Sequence, residues 1–355
     1  MRRALIRREQ RIPFAVLLSG LILTGIVADQ TRRHGQELHE QIERTLLGDV
    51  SDAIAAKLRK DVDLINGLAG LFNAENSVNR QQFRDYYDTI ERDNDNLAGI
   101  QGIGFSRFIT AADWQSLINQ VRGEGFPTFT IRPPGPRPQG SAILYLEPFD
   151  LRNQRAFGFD MYSEPTRRQA MDRAAQTGLP SMSGKVRLVQ ERNTGVQPGL
   201  LIYVPIYRKG TEVTPRSPAD YGATLLGWAY SPIRIGDLVQ ASMASVNNPD
   251  LAGSAVLLHD GSTPSSSNLL FDNLHLLANH NLTDPQYQPI QVAGRTLLVG
   301  ESGHRCHPVG GQGLNLCWRD VAVLHELASR VRAGSISLRS LPGRYERRRW
   351  PDLLL

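Results

Sequence analysis

The chain has 355 residues, 41% of them hydrophobic, with 32 glycines and a formal net charge of +5. That length holds two domains, or one domain on a stalk, with ample apolar material for a core. The positive charge sits at the ends, in Arg2, Arg3, Arg7, Arg8 and Arg11 and in Arg344, Arg347, Arg348 and Arg349, so the near-neutral middle argues against nucleic-acid binding; the two cysteines, Cys306 and Cys317, set up neither a disulfide framework nor a metal site.

An uncharged run from Ile12 to Ala28 follows the first arginines. It is at the short end of what crosses the hydrocarbon of a bilayer, and the arginines place its start on the cytoplasmic side. The rival reading is a cleaved signal peptide, for which Ile26-Val27-Ala28 is a poor cleavage match. Leu38, Ile42, Leu46, Val50, Ile54, Leu58, Val62, Ile65 and Leu68 then form one helical stripe. This stalk helix pairs with its copy in a homodimer or packs on its own domain, and the two readings are compatible.

Asn79 or Ser77 caps a second helix, about Arg80 to Asp93, and Gly99–Phe108 has strand character. Thr110 and Asp113 form a capping box for a third helix that runs to about Val121. Phe126–Ile131 and Ser141–Leu146 read as strands around a stiff proline loop. Ser163-Glu164-Pro165 opens a helix that ends at Gly178 and Pro180, with Ser163 as its cap. Lys185–Gln190, Leu200–Tyr207 and Ala223–Tyr230 are strands, Pro232–Met243 is a helix, and Ala255–Leu258 and Gln288–Val292 are further strands. Short strands alternating with helices predict an α+β sensor of the PAS type. No Gly-x-Ser-x-Gly, His-Glu-x-x-His or P-loop occurs, and His259–Asp260 reads as a turn rather than a dyad.

Five short motifs occur in order: Leu146-Glu147-Pro148, Gly158-Phe159-Asp160, Glu164-Pro165-Thr166-Arg167, Ala174-Ala175-Gln176-Thr177-Gly178 and Pro205-Ile206-Tyr207. Together they resemble the CHASE domain, a ligand-sensing module outside the membrane in receptor kinases and cyclases, over roughly Gln30 to Arg295. The resemblance implies two PAS-like subdomains after a long helix. It also implies a small-molecule ligand held by Asp160, Thr177, backbone groups near Met182 and the position of Tyr203. Plant members carry Thr where this chain has Tyr203, and that departure argues against a purine-type ligand. Arg155, Arg167 and Arg187 offer bidentate contacts to an anion instead.

After Arg295 the text changes. Thr296–Val299 reads as a strand, followed by a glycine-rich loop and a helix from near Gly313. Gly300-Glu301-Ser302-Gly303-His304, His307-Pro308, Gly311-Gln312-Gly313-Leu314-Asn315 and Asp320 resemble the second flavin-binding motif of FAD-dependent aromatic-ring hydroxylases, including those of ubiquinone biosynthesis. The resemblance implies Glu301 on the FAD ribityl chain and Pro308, Gly311, Gly313 and Asn315 lining the flavin. The adenine-end Gly-x-Gly-x-x-Gly unit of such enzymes is missing, so the tail reads as a fragment joined to a sensor.

The expected organisation is a cytoplasmic end and transmembrane anchor over 1–29, a stalk helix over 30–75, a sensor over 76–295 and a C-terminal strand-loop-helix fragment over 296–355. The expected function is a single-pass inner-membrane protein that displays a periplasmic small-molecule sensor and lacks its own output domain. An FAD-dependent hydroxylase is the alternative, and no metal is expected.

Overall fold

The computed structural model describes residues 11–75, 77–92, 97–191, 196–211, 217–248, 251, 254–274 and 285–302, with 326 and 330; for 11–17 and 39 it describes the backbone alone. The chain divides into two units, one of Met1–Ile42 with Arg305–Leu355, the other of Glu43–His304.

The first described element, α1 (Arg11–Ala74), is one unbroken helix. Leu18, Leu21, Ile22, Leu23, Ile26 and Val27 are all exposed, as are Leu38 and Ile42. Thr24 and Thr31 return their hydroxyls to the carbonyls four residues earlier, which satisfies them within the helix. Among the described residues no helix is long and apolar enough to cross a membrane; part of the run expected to do so, 12–17, has side chains outside them.

From Leu46 the predicted stripe turns inward. Leu46, Val50, Ile54, Leu58, Ile65, Leu68 and Phe72 are buried in the core of the second unit. From Glu43 onward the expected stalk is therefore part of the sensor body, because burying a stripe on one's own domain removes apolar area without a partner. Asn79 caps α2 (Arg80–Glu91) through a reciprocal box with Gln82, which buries Phe83 and Tyr87.

Two antiparallel sheets follow. The first runs β2 (Gln139–Glu147), β1 (Ile103–Thr110), β6 (Leu225–Arg234), β5 (Pro198–Tyr207), with β3 (Ser181–Met182) and β4 (Val186–Arg187) both paired to the outer side of β5. Alternation along these strands divides the core. Ile202, Val204, Ile206, Ala229 and Ile233 join the α1 side, whereas Leu201, Tyr203, Trp228 and Tyr230 join α4 (Pro165–Thr177) on the other face. α3 (Trp114–Gly123) follows β1, with Thr110 donating to the Asp113 carboxylate in the turn between them. A short α5 (Tyr221–Thr224) leads into β6, and α6 (Ile235–Ser245) leaves it.

The second sheet has the order β8 (Leu269–Asp272), β7 (Ala255–Asp260), β10 (Arg295–Ser302), β9 (Gln286–Val292). Its Val256, Leu258, Ile290, Val292, Leu297 and Val299 join the core that α1 enters. Two sheets within one compact unit give the α+β class, with no strand of either sheet parallel to its neighbour.

Three expectations change. Phe126–Ile131 forms no strand: Phe126 packs on Phe149 and Phe157, and Phe129 packs on Phe157, instead of joining a ladder. The helix at 165 is capped by Glu164, not Ser163, since the Glu164 carboxylate accepts from the amides of Thr166 and Arg167. The boundary expected at 295/296 falls inside β10, which pairs with β7 and β9 along its length, so 296–302 belong to the sensor body.

Candidate functional site

The five expected site residues surround α4 and the β5–β6 pair, but they do not converge on one space. Gly158 lies at φ +77°, and a Cβ there would strike the Thr130 carbonyl, so only glycine fits the turn. Its neighbours knit the turn to its surroundings: Gly158 N–H donates to the Ile143 carbonyl, and Asp160 N–H donates to the Arg132 carbonyl at 2.7 Å. This aims the Asp160 carboxylate inward. Oδ1 accepts from Ser141 N–H at 2.7 Å, from the Ser141 hydroxyl at 3.1 Å and from Tyr162 N–H at 3.0 Å, and Oδ2 pairs with Arg137 at 3.0 Å. Burial pushes the carboxyl's pKa up, against those hydrogen bonds and the Arg137 charge. Asp160 is fully buried, and its acceptor capacity is spent on the protein itself.

Thr177 lies on the exposed end of α4, where its hydroxyl donates to the Arg173 carbonyl at 2.7 Å and accepts from Leu179 N–H. Gly178, at φ +72°, completes the helix end. Met182 points into the core on the α1 side, while its amide donates to the Ala293 carbonyl and so ties the two sheets together.

Of the five, Arg167 lines a small niche that Tyr230, the partner of Tyr203, also lines. Arg167 is almost fully buried and lies over the Phe159 ring; it donates to the Arg187 carbonyl at 2.8 Å and reaches Glu164 at 3.4 Å. Tyr203 and its register partner Tyr230 are stacked, 6.4 Å between ring centres. Among the described residues, the Tyr203 hydroxyl finds only the Met161 sulfur, at 3.4 Å, and the buried Tyr230 hydroxyl has no hydrogen-bond partner. Burial raises both phenol pKa values, and the Arg167 charge lowers both.

Beside them is a small, partly open niche lined by Phe159, Met161, Arg167, Gln190, Leu201 and Tyr230. Its void is about 10 Å³, roughly the room for one water. The strap 187–191 covers it. Arginines hold this strap along its length: Arg167 takes the Arg187 carbonyl, Arg155 takes the Gln190 carbonyl at 3.3 Å, and Arg152 and Arg234 take the Glu191 carboxylate at 2.8 and 2.9 Å. Arg187 itself is exposed. The expected arginine cluster thus exists in part, as a clamp on backbone. Sequence reading missed Tyr230 and Gln190. The Trp228-Ala229-Tyr230 alternation marks Tyr230 as sharing a face with Trp228, but its pairing with Tyr203 depends on a register the sequence does not display.

The residues expected at a flavin divide. Pro308, Gly311, Gly313 and Asn315 lie outside the described residues. Glu301 is in β10, paired with Val256 and Gln286 and buried to 1% exposure. A carboxylate closed within a sheet does not fit a ribityl contact. His259 contacts Asn268 and the Ser265 carbonyl through Nδ1, whereas Asp260 takes Arg295 and the Lys185 amide, consistent with a turn.

Comparison with known proteins gives two kinds of likeness. Short matches link the chain to the mitochondrial ubiquinone biosynthesis monooxygenase of Caenorhabditis elegans, 44% identical over 45 residues, covering 12% of this chain and 10% of the other. A ubiquinone hydroxylase of Rhodospirillum rubrum is 48% identical over 66 residues, covering 18% and 15%. The chain thus spans at most 15% of the length of these two relatives. Among solved structures, the periplasmic sensory domain of the Campylobacter jejuni chemoreceptor Tlp1 aligns at a TM-score of 0.39 and 8% identity, over 75% of this chain and 92% of that one. The CHASE domain itself matches residues 76–271, from the approach to α2 into β8. That match covers more than half of the 355 residues and contains the glycine turn, α4 and the arginine-held strap, and by it the chain belongs to the CHASE domain family of sensory modules.

Proposed function

We propose that the chain is an extracytoplasmic sensor that takes a small anionic ligand into the niche under the strap 187–191. The observation that carries this reading is the pairing of a buried guanidinium, Arg167, with the unpartnered Tyr230 hydroxyl on one small void. A buried hydroxyl without a partner costs free energy in the empty state, and a ligand acceptor removes that cost. The carbonyls that Arg155 and Arg167 now hold are neutral acceptors, and a carboxylate or phosphate competes with them through charge-assisted bonds. Because the void holds about one water, the ligand enters only as the strap lifts, and binding selects the lifted state.

We place the sensor on a membrane. The exposed residues Leu18, Leu21, Ile22, Leu23, Ile26 and Val27 occupy consecutive faces of α1, an arrangement that suits lipid better than water. The preceding arginines give a single-pass orientation with the amino terminus cytoplasmic. Exposed Leu38 and Ile42 continue the stripe and suit pairing with a second copy in a homodimer. Output passes to a partner through α1.

The test is a thermal-shift screen of full-length protein in detergent against panels of carboxylates, phosphates and purines. The reading expects stabilisation by an anion class, lost in Arg167→Lys. Stabilisation by purines alone, or by none of the panels, overturns it.

A further inference from the structure

Glu191 ends the strap with an almost wholly buried carboxylate. Its Oε1 takes both arginines, Arg152 from the segment after β2 and Arg234 from the end of β6, while Oε2 makes no hydrogen bond among the described residues. Arg234 is also the residue that precedes α6, and its Nη1 turns back to Asp237 in the first turn of that helix. Asp237 Oδ1 in turn accepts from the Gln197 side chain at 2.9 Å, where the chain returns towards β5. A Cβ on Gly236 would come within 2.5 Å of the Gln197 amide oxygen, so this side chain lies against the helix backbone. The chain is thus fastened to the start of α6 at residue 191, through Arg234, and again at residue 197, through Asp237. Beyond that turn, Leu238 and Val239 of α6 are buried in the core that also takes the stripe of α1 from Leu46 onward and Leu270 of β8.

We propose that Arg234 is a positioning residue that passes movement of the strap to α6, and that through α6 an occupied niche acts on the buried part of α1. The proposal rests on the reading above, in which a ligand anion frees the Arg187 and Gln190 carbonyls. Gln190 and Glu191 belong to one turn, closed by the Glu191 amide on the Leu188 carbonyl at 3.1 Å, so lifting Gln190 carries Glu191 with it. Glu191 then either leaves Arg234 or draws it along. Leaving breaks a charge-assisted bond in a site that excludes most water, which favours a shift of the linked pair. A single shared oxygen joins the two, not a bidentate fork, so the contact swivels as the pair moves. Movement of Arg234 reaches α6 directly, because it adjoins Ile235 in the chain and is bonded to Asp237.

The experiment needs no ligand, so a failed anion screen and a failed coupling are separate results. Hydrogen exchange of the full-length protein in detergent is read at 187–191 and at 239–245, amides bonded within α6, in wild type, Arg155→Ala, Arg234→Gln and the double variant. Arg155→Ala is expected to raise exchange severalfold at the strap and about threefold at 239–245. With Arg234→Gln present, it is expected to raise the strap alike and to leave 239–245 where Arg234→Gln alone puts them. Arg152→Gln removes the other arginine from the same oxygen and is expected to preserve the response of α6 to Arg155→Ala. The proposal is overturned by α6 exchange that ignores Arg155→Ala, by a strap that Arg155→Ala does not loosen, by an equal rise at α6 with and without Arg234, or by loss of the α6 response in Arg152→Gln. Should Arg234→Gln fail to fold, Glu191→Leu cuts the same link from the strap side and is read in the same way.

Discussion

Arg155 donates to the carbonyl of Gln190 at 3.3 Å and so holds the middle of the strap that closes the niche. The contact joins a side chain after β2 to a residue near the first position of a long loop, and it is the weakest of the arginine contacts along the strap. Arg155→Ala is expected to raise hydrogen exchange at 187–191 severalfold while leaving global stability within about 1 kcal/mol. Mass-spectrometric exchange beside a denaturant melt checks both halves.

Tyr230→Phe should separate stability from binding. It deletes a buried hydroxyl that has no partner, so the empty protein is expected to gain about 1 kcal/mol in a urea titration. Anion-dependent stabilisation should fall in the same variant. A loss of stability instead would mean that a buried water satisfies the hydroxyl.

Asp160→Ala is expected to cost about 2–3 kcal/mol, because it leaves the Ser141 and Tyr162 amides and Arg137 without their acceptor. Whatever ligand affinity the folded fraction has should be little changed. This outcome, measured by denaturation and calorimetry together, distinguishes a positioning carboxylate from a ligand contact.

Gly158→Ala is expected to be at least as damaging, about 2–4 kcal/mol, since it combines a positive φ with a collision against the Thr130 carbonyl. Lowered melting temperature with unchanged secondary structure is the expected readout.

Asp61 gives an acid-linked effect on stability. It is buried on α1 beside Lys57, and burial pushes its pKa up to about 6 from 3.8. The folded value is the higher one, so this contribution is complete below about pH 4 and is lost as pH rises towards 6. Two units correspond to about 3 kcal/mol at most. Asp61→Asn should reduce the loss of stability between about pH 4 and 6 in denaturant melts.

The sequence was readable where one physical signal dominated. The spacing from Leu46 to Leu68 encodes a buried stripe, and the Asn79–Gln82 box marks the start of α2. The strands of Leu200–Tyr207 and Ala255–Leu258 were visible from apolar β-branched runs. It was opaque where tertiary packing overrode local preference. Phe126 and Phe129 look like strand residues but serve an aromatic cluster, and Lys185–Gln190 pairs over only Val186–Arg187 because arginines hold the rest. Leu269–Asp272 was too short to stand out. In the site, Asp160 and Thr177 are where the motifs put them, but their hydrogen-bonding capacity faces inward or along the helix. That direction depends on Ser141, Arg137 and Arg173, which no local pattern links to them.

The strand Arg295–Ser302 sits between β7 and β9, and its position sets how the protein can be divided. A recombinant piece ending at Arg295, the natural cut if the tail is read as foreign text, would leave both neighbours with bare amides and carbonyls along their inner edges. Such edges recruit other chains. A soluble version for binding work must extend at least through Ser302, or insolubility will be mistaken for a property of the sensor.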